Sequence, residues 1–143
     1  MTAAVSFAHE VRVYWEDTDA GGVVFYANYL KFFERARTEW LRAAGFGQQQ
    51  LRDEFGLQFM VLETTLRHHA PARLDDRLRI SVEPEGTPRG ARLALAQSAW
   101  RADTLLCDSR IELACVDARG QGTLRARRIP KPILEALFEA PPS

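Results

Sequence analysis

The segment EDTDAGG, which begins at Glu16, holds the residue types best suited to chemistry. Glu16, Asp17 and Asp19 place three carboxylates within four positions, and Gly21 and Gly22 follow directly. A carboxylate in such a loop can act as a nucleophile or a base, or it can bind a metal ion. It can also stabilise a following helix by placing negative charge at the positive N-terminal end of that helix. The neighbouring sequence bears on all three possibilities.

The spacing of the loop partly matches that of a calcium-binding loop. Asp17 and Asp19 would stand at positions one and three, and Gly22 would stand at the glycine position. Position five would be Gly21, however, and position twelve would be Asn28 in place of the bidentate Glu. The strongest ligand is missing, so we predict no metal site.

A catalytic role fits the position of the loop ahead of a helix. The first N–H groups of a helix have no intrahelical partner and carry partial positive charge. They can therefore stabilise a carbonyl oxygen that becomes negative when its carbon is attacked. Gly21 and Gly22 allow the backbone to approach that oxygen closely. The loop can thus place an acid group next to an oxyanion site.

The helix that would position this loop is predicted from Asn28 to Ala44. Its apolar residues recur at steps of four, three, four and four, which is typical of an amphipathic helix of about four turns. Gly45 is a natural C-terminal stop. The apolar stripe consists of Tyr29, Phe33, Ala36, Trp40 and Ala44, and Leu30 and Phe32 widen it.

Five segments have strand-like patterns. In the first, residues 5–15, Val11, Val13 and Trp15 occupy alternate positions. One strand, one long helix and four consecutive strands predict a single α+β domain over residues 1–143, with an antiparallel sheet wrapped around the helix. Such a sheet leaves an edge strand uncovered, so we expect a homodimer or homotetramer. The later strands are predicted at 57–69, 77–83, 92–101 and 105–117, with a turn at 86–90 and a terminal helix at 132–138.

Composition argues against several classes of partner. Nineteen basic residues balance nineteen acidic ones, so no overall field attracts nucleic acid. No apolar run approaches the roughly 18 residues that span a bilayer, so membrane insertion is not expected. The spacing of Cys107 and Cys115 does not suit a metal site. Both have apolar neighbours, which is typical of reduced, buried thiols. These features predict a cytoplasmic protein.

At three places the sequence resembles a known family. The segments are YWEDTDAGGVVFYANYLKFFERARTEWLR from Tyr14, APARLDD at 70–76 and IPK at 129–131. They resemble the hot-dog acyl-CoA thioesterases of the 4-hydroxybenzoyl-CoA thioesterase type, and most closely the Tol-Pal-associated (YbgC-like) group. The resemblance implies a hot-dog fold and hydrolysis of acyl-CoA thioesters. Coenzyme A is then part of the substrate, and no cofactor is expected.

The resemblance also implies roles for individual residues. The catalytic carboxylate falls on Asp19, with Asp17 supporting the loop. The backbone amide of Tyr26 falls where the family holds the thioester oxygen, and Gly21, Gly22 and Val24 belong to the same substrate-binding segment. Tol-Pal-associated members carry His where this chain has Tyr26, whereas the 4-hydroxybenzoyl type carries Tyr, which leaves the acyl group open.

Several alternatives remain open from the sequence. Asp19 can attack the thioester directly to form a mixed anhydride, or it can take a proton from water. Glu34, on the predicted helix, is the alternative carboxylate. The substrate can be an aliphatic or an aromatic acyl-CoA, or an acyl carrier protein can be a partner. The chain can also be a non-catalytic acyl-binding or scaffold protein.

Arginine side chains are candidates for the coenzyme A phosphates, which they bind in bidentate fashion. Alignment with the family favours Arg89, in the predicted turn, and Arg125 near the C-terminus. His68 and His69 are interpreted as structural, because adjacent residues of a strand face opposite sides and cannot easily share one ion.

Overall fold

One antiparallel sheet dominates the computed structural model, which describes residues 7–119 and 125–138. Its strand order within those ranges is β1-β3-β4-β5-β2, so β1 and β2 are the edge strands. This arrangement confirms the predicted α+β class. The strands are β1 (Phe7–Arg12), β2 (Leu57–His68), β3 (Arg77–Arg89), β4 (Arg92–Arg101) and β5 (Thr104–Asp117), and the helices are α1 (Asn28–Ala43) and α2 (Lys131–Phe138).

Most of the predicted apolar stripe of α1 is buried, but Ala44 is half-buried, and Leu30, which was predicted to widen the stripe, is 44% exposed. Tyr29, Phe33, Ala36 and Trp40 are each at most 5% exposed, so this face packs on the sheet. Phe32, which lies beside the stripe, is also buried. The helix ends at Ala43, and Gly45 follows with φ of +94°, a left-handed conformation that favours glycine after a helix.

The inner face of the sheet supplies the other half of the core. Alternate residues of β3, β4 and β5 are buried, and full burial of one such aliphatic side chain contributes about 1.5–3 kcal/mol. The short helical segment Gln48–Gln50 and the turn Leu51–Phe55 then lead into β2. The buried side chains include Leu78, Ile80, Val82, Leu93, Leu95, Ile111, Leu113 and Cys115.

A buried amide joins α1 to this face. The side chain of Gln97 on β4 is almost fully buried, and its Nε2 donates to the carbonyl of Phe33 at 3.1 Å. Its Oε1 accepts from Nη1 of Arg37 at 2.9 Å, which satisfies a group that would be costly to bury unpaired. The helix is thus attached to the sheet by both apolar packing and hydrogen bonds.

The prediction that the first strand continues to Trp15 is wrong. β1 ends at Arg12, and Trp15 is 81% exposed instead of facing the core. The carboxylate of Asp17 accepts a hydrogen bond from the N–H of Tyr14 at 2.8 Å. That bond closes the helical turn Trp15–Asp17, which redirects the chain before the strand can continue.

The predicted turn at 86–90 is also wrong in its extent. β3 continues to Arg89, which pairs with Arg92 of β4, and the chain reverses at Gly90. Gly86, with φ of +68°, lies where the β3–β4 register shifts, so it makes an irregularity inside the strand. Arg89 is consequently a residue at the end of a strand.

The edge strand β2 leaves apolar side chains in solvent. Val61 and Leu62 are 45% and 41% exposed, and the register with β5 shifts at this point. Uncovered edges of this kind favour pairing with another chain. None of the helices in 7–119 and 125–138 is long and apolar enough to cross a membrane.

Candidate active site

The two aspartates of the acidic loop occupy different environments. Asp17 is buried, and its Oδ2 accepts the hydrogen bond from Tyr14. Its backbone carbonyl accepts from the N–H of Phe25 at 2.9 Å and from Nδ2 of Asn28, the first residue of α1, at 2.9 Å. Asp17 therefore fixes the loop against the start of the helix, which is a structural task.

Asp19 lies at the exposed tip of the loop. Its Oδ1 accepts a hydrogen bond from the N–H of Gly21 at 2.8 Å, and its own N–H donates to the carbonyl of Val23 at 2.8 Å. Across 7–119 and 125–138, Oδ2 takes part in no hydrogen bond or ion pair. One carboxylate oxygen is therefore held in place while the other remains available to a substrate.

The glycines make this tight turn possible. The N–H of Gly22 donates to the carbonyl of Asp19 at 3.0 Å, and the φ angle of Gly22 is +80°, where side chains are strained. A Cβ on Gly21 would stand 3.2 Å from Oδ1 of Asp19. The sequence AGG thus shapes the backbone around the carboxylate.

The backbone amides ahead of α1 are not equivalent. The N–H of Val24 donates to the carbonyl of Ala72 at 2.9 Å, and that of Phe25 donates to Asp17. The N–H of Tyr26 donates to no acceptor in the part of the chain that the structure describes. Of the three amides from Val24 to Tyr26, only this one is left as a donor at the positive end of the helix.

A surface depression of about 370 Å³ brings these groups together. Asp19, Val24 and Tyr26 border it, and so do Tyr29 of α1 and Pro71. Burial raises the pKa of the Tyr29 hydroxyl to about 12, so this group stays protonated at neutral pH. The depression thus combines a carboxylate, a main-chain donor and apolar walls.

His68 is a residue of this depression that the sequence interpretation missed. It borders the same space as Asp19, and so does His69. The ring of His68 lies edge-to-face against Tyr29, with 5.5 Å between the ring centroids. The available signal was its position at the end of β2, where the chain passes into the loop that contains Ala70 and Pro71, because loops often carry functional side chains.

Other candidates lie apart from the depression. Glu34 borders a second depression of about 290 Å³ with Trp40 and the half-buried Arg37, whose pKa is lowered by burial. Arg89 and Arg125 are exposed and do not border the Asp19 depression. β3 begins beside Arg12, near the loop, and a strand rise of about 3.3 Å per residue puts Arg89 roughly 40 Å further along the strand.

The described residues hold no group of three or more His, Cys, Asp or Glu side chains that could bind a metal ion. Asp17 and Asp19, which matched two calcium positions in the sequence, have the separate environments given above. Asp17 thus has a structural role, and Asp19 belongs to the depression.

Comparison with known proteins agrees with this architecture. A family model described as the thioesterase superfamily, 4HBT, matches residues 21–107. The acyl-CoA thioester hydrolase YbgC of Escherichia coli O6:H1 (strain CFT073) is 45% identical over 129 residues, which cover 90% of this chain and 92% of the relative. The chain belongs to the thioesterase superfamily.

Solved structures of other thioesterases have the same fold as this superfamily member. A probable thioesterase from Bartonella henselae superposes with a TM-score of 0.81 at 33% identity, covering 88% of this chain and all of that one. The 4-hydroxybenzoyl-CoA thioesterase of Pseudomonas sp. strain CBS-3 superposes with a TM-score of 0.85 at 20% identity, covering 94% and 99%. These comparisons confirm the predicted hot-dog fold and family.

Proposed function

We propose that this thioesterase-superfamily member hydrolyses acyl-CoA thioesters to the free acid and coenzyme A. The observation that carries the proposal is the depression bordered both by Asp19, whose Oδ2 is free within the described ranges, and by Tyr26, whose N–H has no acceptor there. Thioester cleavage needs an attacking oxygen and a donor for the oxyanion, and these groups match both needs. The name of the Escherichia coli relative supports the same substrate class.

The mechanism begins with the thioester carbonyl oxygen on the N–H of Tyr26. Attack on the carbonyl carbon moves negative charge onto that oxygen, where the amide and the positive end of α1 stabilise it. Oδ2 of Asp19 either attacks the carbon directly, giving a mixed anhydride and the coenzyme A thiolate, or removes a proton from an attacking water. Gly21 supports both routes because its N–H holds Oδ1 in place.

The acyl group distinguishes two forms of this function. Tyr26 is 65% exposed, and its ring lies 4.8 Å from that of Phe25, measured between centroids. Exposed aromatic rings beside the depression favour an aromatic acyl group as the second candidate. The first candidate is a fatty acyl-CoA.

Hydrolysis of a panel of coenzyme A esters tests the function. We expect the purified protein to release free thiol from at least one of butyryl-, palmitoyl- and 4-hydroxybenzoyl-CoA, detected with a thiol-reactive dye. The ester with the highest kcat/KM identifies the acyl class. Binding of these esters without any thiol release would overturn the proposal and favour a non-catalytic acyl-binding or scaffold protein.

Arg89 and Arg125 are proposed to bind the phosphates of coenzyme A. Since Arg89 lies far along β3 from Asp19, this role requires Arg89 of one subunit to serve the depression of another. A homodimer or homotetramer is therefore part of the proposal, and exposed Val61 and Leu62 on edge strand β2 are suited to a subunit contact.

Arg89→Ala is expected to raise KM for acyl-CoA about 10- to 100-fold with little change in kcat, because a charge-assisted contact to phosphate is lost. The matched substrate is the same acyl group on N-acetylcysteamine, which lacks the phosphates. Its KM should not change in the variant. An equal effect on both thioesters, or no effect on either, would contradict a phosphate contact.

The proposal places the enzyme in the cytoplasm and requires neither metal nor cofactor. Cys107 and Cys115 are buried and unbonded thiols, as is typical of a reducing compartment. Burial raises the pKa of Cys115 to about 11, which keeps this thiol protonated and inert. An acyl carrier protein, which presents the same thioester on a phosphopantetheine arm, is proposed as a further possible acyl donor.

A further inference from the structure

We propose that His68 is the proton carrier of thioester hydrolysis: it protonates the departing thiolate and then takes a proton from the attacking water. This inference rests on the proposed function and assigns a second catalytic side chain to the same depression. His68 contributes an imidazole, the side chain that most often serves as general acid and general base in enzymes. Such a group both releases and accepts a proton during one turnover.

The geometry directs the His68 ring towards the depression. His68 pairs with buried Cys107 across the β2–β5 register. Leu66, two residues earlier on the same strand, packs against the core. Both observations indicate that the side chain of His68 lies on the inner face of the sheet. The ring lies edge-to-face with Tyr29, at 5.5 Å, and with Tyr26, at 6.4 Å. These distances are within the range of favourable aromatic contacts.

Packing, rather than hydrogen bonding, holds this ring. Neither nitrogen of His68 has a hydrogen-bond partner within 7–119 and 125–138, although the ring touches two tyrosine rings. Both nitrogens are consequently available to water and substrate.

The other titratable groups that face His68 come from α1, β5 and the acidic loop. Burial raises the pKa of Tyr29 on α1, and of Cys107 on β5, to about 12, so neither exchanges a proton near neutral pH. Asp19 on the loop is assigned to attack or to base catalysis. The remaining groups are the Tyr26 hydroxyl, exposed Arg67, the His69–Asp108 pair and the Arg101–Asp76 pair.

The proton balance is complete on the nucleophilic route. The carboxylate of Asp19 bonds to the acyl carbon, the carbon–sulfur bond breaks, and the sulfur keeps the electron pair and takes a proton from protonated His68. Neutral His68 then removes a proton from water while the oxygen of that water attacks the acyl carbon. The anhydride bond to Asp19 then breaks, which releases the free acid and restores the Asp19 carboxylate. His68 is again protonated, by the proton that it took from water.

The adjacent histidine offers a matched control. His69 also borders the depression, but its Nε2 lies 2.6 Å from Oδ2 of Asp108, so that nitrogen is already engaged. Arg67 pairs with Asp108 across the strands, which places Asp108 on the face opposite to His68. Replacing His69 therefore removes an imidazole from the same segment without removing the proposed proton carrier.

The experiment compares His68→Gln and His69→Gln over pH 5 to 9 with the acyl-CoA that the wild type cleaves best. His68→Gln is expected to lower kcat about 100-fold and to change the pH dependence of kcat relative to the wild type. His69→Gln should keep the wild-type pH dependence of kcat, and its effect on KM is read separately because His69 also borders the depression. In His68→Ala, added imidazole should restore part of the lost rate, a response that a structural residue would not show.

The outcomes separate this inference from the proposed function. If the wild type and His68→Gln have equal kcat and the same pH profile while Asp19→Asn is inactive, the role of His68 is wrong and the function stands. Equal losses in both histidine variants would also overturn it. A wild type that cleaves no thioester contradicts the function itself. His68 is exposed, so both variants should fold, which thermal unfolding checks.

Discussion

Asp19→Asn is expected to lower kcat for acyl-CoA hydrolysis by about 10²- to 10⁴-fold while affinity for the ester changes little. Asparagine retains an oxygen for the hydrogen bond from the N–H of Gly21, so the loop should keep its conformation. It carries no negative charge, so it can neither attack a thioester nor act as a base. Thiol release measures kcat, and calorimetric titration of the inactive variant measures binding.

Glu34→Gln is the matched variant for this prediction. Glu34 is also an exposed carboxylate, but it borders the second depression, beside Arg37 and Trp40. Its neutralisation should leave kcat within a few-fold of the wild-type value. If Asp19→Asn turns over normally and Glu34→Gln does not, the chemistry belongs to the helix carboxylate.

Tyr26→Pro is expected to lower kcat by about 10²- to 10³-fold, the typical cost of losing one oxyanion donor. Proline has no N–H, and the Tyr26 amide donates to no acceptor in the described ranges, so the fold loses no hydrogen bond that they contain. Residue 26 lies just ahead of α1, where proline is better tolerated than inside a helix. The measurement is kcat by thiol release, together with the melting temperature.

Tyr26→Ala controls for the side chain in that experiment. Alanine keeps the backbone N–H and removes the exposed ring, so it should retain most of kcat. A change in KM for aromatic acyl-CoA in this variant would identify the ring as part of the acyl pocket. Equal losses of kcat in Tyr26→Ala and Tyr26→Pro would contradict a main-chain oxyanion site.

The division of labour between the two aspartates explains how the loop is both stable and reactive. Asp17 is buried and accepts hydrogen bonds through its side chain and its carbonyl, which ties Tyr14, Phe25 and Asn28 together. Asp19, two residues later, uses its backbone groups and Oδ1 within the turn, while its Oδ2 takes part in no hydrogen bond within the described ranges. A carboxylate committed to several backbone donors would be a poorer nucleophile, because those donors stabilise its charge.

The sequence alone determined the order and type of the main helix and strands, though not all of their ends, and the loop that carries the candidate chemistry. The spacing of Tyr29, Phe33, Ala36 and Trp40 predicted α1 almost to the residue, since helix periodicity is a property of neighbouring positions. The motif beginning at Glu16 indicated the family, which the comparisons confirm. The roles of Asp19 and the Tyr26 amide stay predictions that the variants above test.

Only the tertiary structure decided which groups meet. The Val24 amide is used because Ala72, distant in sequence, supplies its acceptor, and this contact leaves Tyr26 as the available donor. His68 reaches the depression because the end of edge strand β2 lies beside the start of α1. Such outcomes depend on contacts between separate segments, and local periodicity carries no information about them.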